Sequence, residues 1–113
     1  MTHYVILGKW TEQGIKNVKD VPKRVEETHK AIEYRGGKMT LFYTFGEYDF
    51  IMFVEMPNDE AMMKSLLLLG SLGNVRTKTL KAWTELEGAK VIHELTKDWD
   101  ERYWQTEDTQ QSM

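Results

Sequence analysis

Cysteine is absent from this chain of 113 residues. Its absence removes disulfides, thiolate metal ligands and cysteine nucleophiles together, and it fits a reducing cytosol. Long apolar runs are missing too. Segments such as Leu66–Leu69 fall far short of the ~20 residues that a membrane helix needs. The start, M-T-H-Y-V-I-L-G-K-W, lacks the basic opening and apolar length of a signal peptide. No charge of one sign dominates: the net charge is −3, so no basic field calls for nucleic acid or an anionic membrane. Catalytic signatures are equally scarce. H-x-x-x-H, G-x-S-x-G, the P-loop and acid clusters at metal-ligand spacing do not occur. The glycines of Gly70-Ser71-Leu72-Gly73 follow a predicted helix and act as its stop, not as a phosphate cradle. These absences leave a soluble, cytoplasmic protein of one domain's length, with no metal or cofactor expected.

What is present is periodicity. Tyr4–Trp10 alternates and is β-rich, a first strand. Thr11 is a good N-cap, and Ile15, Val18, Val25 and Ile32 recur at helical spacing. Pro22 interrupts that helix, which restarts with Asp20 as a second cap and ends at Gly36-Gly37. Met39–Phe45 and Phe50–Glu55 are the second and third strands. Asn58 caps a second helix, Ala61–Leu69, whose first turn carries Asp59 and Glu60 where the helix dipole favours acids. Val75–Trp83 is a fourth strand and Gly88–Leu95 a short third helix. The basic residues Lys16, Lys19, Lys23, Arg24 and Lys30 alternate with Glu12, Glu26, Glu27 and Glu33, which reads as a solvated helix face.

The order β-α-β-β-α-β plus a helix is the ferredoxin-like split arrangement, an α+β fold. Right-handed crossovers then predict an antiparallel sheet in the order 4-1-3-2. Residues 1–95 make this domain, and residues 96–113 are a C-terminal extension. In the extension Trp99 and Tyr103 are four apart, as in a short amphipathic turn, and Gln105 begins a flexible polar tail.

Both faces of the predicted sheet need covering. Phe50, Met52 and Val54 point one way and Ile51 and Phe53 the other; Leu41, Tyr43 and Phe45 oppose Phe42. Two helices cover one face. The other would expose a larger aromatic patch than monomers usually carry, so a second copy packed on it, as a homodimer or larger oligomer, is the expected cover. The alternative is that the third helix and the C-terminal tail fold across it within one chain.

The same topology draws separate segments to one rim. The end of strand one brings Trp10, the first helix Gln13 and Gly14, the hairpin Tyr48 and Asp49, and the fourth strand Asn74 and Arg76. Aromatic faces with an acid, a base and amides suit the mouth of a small-ligand site. Each residue also has a structural explanation: Gly46 and Glu47 serve a turn, Asp49 accepts from turn amides, Arg76 pairs with an acid, and Trp10 and Tyr48 are core or interface aromatics. Of the histidines, His29 falls on the apolar face of the first helix, and His93 sits on the last helix in a position to ligate a haem iron. His3 has no partner visible in the sequence.

Several segments together resemble the GYD-domain family: Y-V-I-L-G-K-W-T-E-Q-G-I-K, P-K-R, G-G-K, G-E-Y-D-F and G-S-L-G-N-V-R-T-K-T-L-K-A, in that order, from residue 4 to about 83. The resemblance implies a ferredoxin-like fold of the dimeric α+β-barrel group. It transfers no catalytic residues. The matching motif positions are Gly46, Tyr48 and Asp49, with Trp10, Gly14 and Arg76 beside them. The wider barrel group includes cofactor-independent oxygenases, isomerases and haem-degrading enzymes, an analogy of fold alone.

Three functions are then in competition. The first is a small-molecule site for an aromatic or cyclic compound between sheet and helices. There Trp10, Gln13, Gly14 and Asn74 bind, and in an enzymatic version Asp49 accepts a proton beside Tyr48 while Arg76 stabilises an oxyanion. The second is a non-catalytic binding and assembly module that uses the rim or the aromatic stretch Trp99–Trp104. The third is haem binding through His93.

Overall fold

The strand Thr2–Trp10 (β1) lies inside a four-stranded sheet of order β2-β3-β1-β4, where β2 is Lys38–Tyr43, β3 Phe50–Met56 and β4 Val75–Ala82. Every pairing is antiparallel. Read from the other edge this is the predicted order 4-1-3-2, and with its helices it is the ferredoxin-like α+β arrangement. The computed structural model describes residues 1–98. Residues 1–82 form one compact unit and the described residues from Trp83 onward belong to a second. Among the described residues no helix is long and apolar enough to cross a membrane. Trp99, Tyr103, Trp104 and the tail expected from Gln105 lie outside the described residues.

The first helical stretch breaks as Pro22 suggests, but into three pieces. Helix α1 is Glu12–Lys16, Val18–Asp20 is a 3-10 turn, and α2 runs Val21–Tyr34 with Pro22 in its first turn, where a missing N–H costs least. Thr11 caps α1 by accepting the Gly14 amide at 3.1 Å. Asp20 stands at the N-cap of α2 as expected, yet its side chain makes no capping bond. At the far end the Gly37 amide returns to the Ile32 carbonyl at 2.9 Å.

Helix α3 is Asp59–Ser71, and the Asn58 side chain caps it through the Ala61 amide at 2.8 Å. In the second unit α4 is Glu85–Asp98, starting three residues before the expected Gly88. The cause is a capping box. The Glu87 amide donates to the Thr84 hydroxyl at 3.1 Å and the Thr84 amide to the Glu87 carboxylate at 3.0 Å, which satisfies two helix-end donors reciprocally.

The alternation in β1 and β3 sorts the sheet's two faces. Tyr4, Ile6, Phe50, Met52, Val54 and Met56 are buried with Ile32 of α2 and Met62 of α3, and they form the core. The odd-numbered neighbours point away. Val5 pairs with Phe53 and with Leu80, and Leu7 with Ile51, which pairs in turn with Phe42. Phe42, Phe53 and Leu80 are each about half exposed, and the rings of Phe42 and Phe53 meet edge to face at 6.0 Å. Phe45, expected on the Leu41 face of a longer second strand, lies beyond β2 in the hairpin loop and is fully exposed.

Candidate functional site

The rim at the end of β1 is held by backbone groups. The Thr11 amide donates to the Asn74 carbonyl at 3.0 Å, and the Thr11 hydroxyl to the Gly73 carbonyl at 2.6 Å. The Gln13 amide group reaches the Leu72 carbonyl at 3.2 Å and the Asn74 side-chain oxygen at 3.0 Å. The start of α1 therefore rests on the α3–β4 loop. Gly14 is where they touch: a β-carbon there would stand 2.0 Å from the Asn74 carbonyl oxygen, so only glycine lets the two backbones approach this closely.

The hairpin between β2 and β3 joins the same rim. Gly46 adopts φ +113°, a conformation that L side chains rarely take, and it lets the loop reverse. Thr44 closes the loop, its amide donating to the Asp49 carbonyl at 2.9 Å and its hydroxyl to the Tyr48 carbonyl at 2.6 Å. The Asp49 amide donates to the Gly8 carbonyl at 2.8 Å, and the Asp49 carboxylate accepts the Trp10 amide at 2.9 Å. The side chain thus continues the β1–β3 ladder one step past its last backbone pair, Gly8 with Phe50. Lys9 lies over the Tyr48 ring with its ammonium 5.4 Å from the centroid. Arg76 is paired with Lys9 and so stands on the sheet face opposite to the helices.

Behind the rim, between the sheet's inner face and α2 and α3, lies a cavity of about 390 Å³, within the range of roughly 300–1,000 Å³ usual for small-ligand sites. Sheet residues Ile6, Leu41, Tyr43, Phe50 and Met52 form its floor, and Val25, Thr28, Ala31, Leu66 and Leu69 line it from the helices. Trp10 and Asn74 close the rim end. The Trp10 ring is tilted against Tyr43 and Phe50, with centroids 6.5 and 6.4 Å away. Leu68 and Leu72 line the cavity yet are 46% and 56% exposed, so it opens to solvent beside α3. Polar lining is sparse: Arg24, Glu27, Thr28, Ser65 and Asn74. Thr28 and Ser65 already donate to carbonyls one turn back in their helices, at 2.8 and 2.9 Å.

Of the seven residues singled out in the sequence, Trp10 and Asn74 line the cavity, while Gln13 and Gly14 buttress Asn74 from behind. Asp49 meets this group through the Trp10 backbone. Tyr48 and Arg76 are placed toward Lys9. His93 is exposed on α4, and His29 is half-buried on α2. His3 does have a partner, with Nε2 3.0 Å from Glu55 Oε1 on the neighbouring strand.

Sequence reasoning did not reach the lining contributed by α2 and α3. The helical spacing of Val25 and Ile32 was its available signal, but amphipathic spacing does not tell a packed helix from one that leaves a gap. Nor did it reach a polar clasp at the other end of β1. There the buried Tyr4 hydroxyl donates a short hydrogen bond to Asp59 Oδ1, and Lys81 Nζ meets Asp59 Oδ2 at 2.9 Å. Thr2 Oγ1 lies 2.7 Å from the same phenol. Burial and then the bond to Asp59 push the Tyr4 pKa up. The donors Tyr4 and Lys81 hold the Asp59 carboxyl below its usual range, and the Asp59 bond raises Lys81.

Residues 4–92 match the family model described as "GYD domain". The chain belongs to the GYD-domain family. A relative from Thermus thermophilus, named glutamine synthetase and cystathionine beta-lyase binding protein, is 29% identical over 84 residues, which cover 73% of this chain and 88% of the relative. The GYD match runs from Tyr4 in β1 to Ile92 in α4, so it takes in the rim, the cavity and, of the clasp, Tyr4, Asp59 and Lys81.

Proposed function

We propose that this GYD-domain protein is a binding module that holds a compact aromatic or cyclic molecule between its sheet and helices and works as an assembly of its own copies. One observation carries the reading: the apolar cavity behind Trp10, floored by the sheet and open beside Leu68 and Leu72. A packed interior leaves few voids larger than a water, so an apolar space of this size points to an occupant. Self-association draws on the outer sheet face, where Val5, Leu7, Phe42, Ile51, Phe53 and Leu80 adjoin across all four strands. Burying each large side chain there contributes roughly 1.5–3 kcal/mol. An enzymatic version, with Asp49 as proton acceptor beside Tyr48, is narrower and depends on a demonstrated turnover that Asp49→Asn removes. Arg76, on the outer sheet face, does not reach a molecule held in this cavity.

Native mass spectrometry of the freshly purified protein tests both parts together. A dimer or larger assembly that carries a small extra mass, lost in Leu68→Trp, supports the reading. Protein that stays monomeric and takes up no compound from an aromatic library defeats it.

The name of the Thermus thermophilus relative favours a second reading, in which the assembly carries an enzyme as partner. The fully exposed Phe45 at the hairpin tip suits an anchor for such a partner, since aromatic side chains dominate interface hot spots. Mixing with purified glutamine synthetase and cystathionine beta-lyase, followed by sedimentation, tests this. Independent sedimentation of all components rejects the reading for these two enzymes.

A further inference from the structure

We infer that the cavity's ligand carries a carboxylate, held by Arg24, at one end of its apolar body. This rests on the reading of the cavity as a binding site and adds the chemical class of its occupant. Among the described residues Arg24 is the one cationic side chain in the lining. It is half-buried and projects from the first turns of α2, and two carbonyls position it: Nη1 donates to Asn17 O at 3.1 Å and Nη2 to Gly14 O at 3.3 Å. A guanidinium has five N–H donors, so these two bonds fix its plane and leave donors to spare.

Two of the four lysines on this segment have acids of their own, while Lys19 and Lys23, both exposed, make no ion pair among the described residues. Lys16 pairs with Glu12 and Lys30 with Glu26, each one helical turn apart. Among the described residues Arg24 makes no ion pair; the acids nearest in sequence on α2, Glu26 and Glu27, are exposed. A half-buried cation beside an apolar wall, already positioned and lacking a carboxylate, is complementary to an anion that arrives with an apolar body. Glu27 also lines the cavity. Its exposure lets water and salt screen its repulsion, whereas Arg24 is shielded less.

The recognition is of the acid group and not of size alone, and a pair of isosteric probes separates the two. 2-Naphthoate and 2-naphthamide share a two-ring body and differ in charge. Their affinities for the full-length protein are measured by calorimetry, for the wild type, Arg24→Gln and Arg24→Lys, with melting curves to establish that each variant is folded. Charge-assisted hydrogen bonds exceed neutral ones enough that the wild type should bind the naphthoate roughly tenfold more tightly than the amide. Arg24→Gln should bring that ratio close to one by weakening the naphthoate far more than the amide, and Arg24→Lys should restore part of it. Equal affinities in the wild type, or a preference that survives Arg24→Gln, overturn the carboxylate inference and leave the cavity reading standing. Failure of both probes to bind overturns the two together.

Discussion

Gly14→Ala sets two local rules against each other, and the structure decides between them. In a helix interior alanine is favoured over glycine by up to ~1 kcal/mol, so propensity alone predicts a more stable protein. The new β-carbon would stand 2.0 Å from the Asn74 carbonyl oxygen, with the carbonyl carbon of the same residue 3.0 Å away. Both are backbone atoms that no side-chain rotation can move. The gap between α1 and the α3–β4 loop must widen by more than an ångström. The bonds from Thr11 N to Asn74 O and from Gln13 Nε2 to Asn74 Oδ1, each 3.0 Å, then pass out of range. Each lost bond costs about 1 kcal/mol, more where a donor is left buried. After the gain in propensity, a net destabilisation of roughly 1–3 kcal/mol remains. For a domain of this size that lowers the melting temperature by at least about 4 °C. Gly70→Ala is the control. Gly70 lies in the last turn of α3, exposed, with nothing within 4 Å of a built β-carbon, so the same substitution should raise the melting temperature or leave it unchanged. Calorimetric melts of the three proteins give the answer. A Gly14→Ala variant that melts at or above the wild type would refute the close-approach argument.

Other expected outcomes concern the caps, the ladder and the clasp. Asn58→Ala removes the α3 cap and should cost about 1 kcal/mol, read from urea unfolding; no change in midpoint would mean that the cap bond is dispensable. Asp49→Ala leaves the Trp10 amide without its acceptor and should destabilise by roughly 1–2 kcal/mol, whereas Asp49→Asn, which keeps an acceptor oxygen, should cost less; equal losses would show that charge matters and not the ladder. The Asp59 pKa is lowered by Tyr4 and Lys81, so its contribution is fully present above the usual carboxylate range near pH ~4 and is lost as pH falls through its lower folded value. Acid unfolding of Asp59→Asn should accordingly show a shallower dependence on pH than the wild type, and parallel curves would rule the linkage out. Tyr4 and Lys81 are shifted upward. Their contributions hold below about pH 10 and fade as pH rises through their folded values, so Lys81→Met should weaken the alkaline slope.

The sheet was legible because its signals are local and repeated. The alternation in Tyr4–Trp10, the continuous apolar run Phe50–Val54, the Asn58 cap and the glycine stops each mark an element, and handedness rules reduce the possible topologies to the observed order. Boundaries moved where a specific bond intervened. Thr44 turns back to Tyr48 and Asp49 and ends β2 early, and the Thr84–Glu87 box starts α4 before Gly88. That box was readable as T-x-x-E, but Gly88 next to it pulled the expected start later. The rim was legible in part, since topology alone brings Trp10, Gln13, Gly14 and Asn74 together. Arg24 was visible only as one charge among alternating charges. Its position at the wall of a cavity depends on how far α2 stands from the sheet, which no pattern in one segment records.

The placement of β1 has a consequence for how the chain comes to be folded. The first strand made is an inner strand of the sheet, and both of its neighbours, β3 and β4, come from beyond α2 in the sequence. During synthesis the hydrophobic residues Tyr4 and Ile6 have no sheet partner until β3 emerges, and none on the other side until β4 does. The only adjacent strands next to each other in the chain are β2 and β3, so their hairpin is the one piece of sheet that can form early, on the microsecond scale of such turns. Closing β1 into the slot between β3 and β4 joins segments far apart in the chain, which makes folding slower than for a helical bundle built on local contacts. A ribosome-bound chain arrested before Val75 therefore exposes one full flank of β1, and in this interval the protein is most open to pairing with the wrong strand.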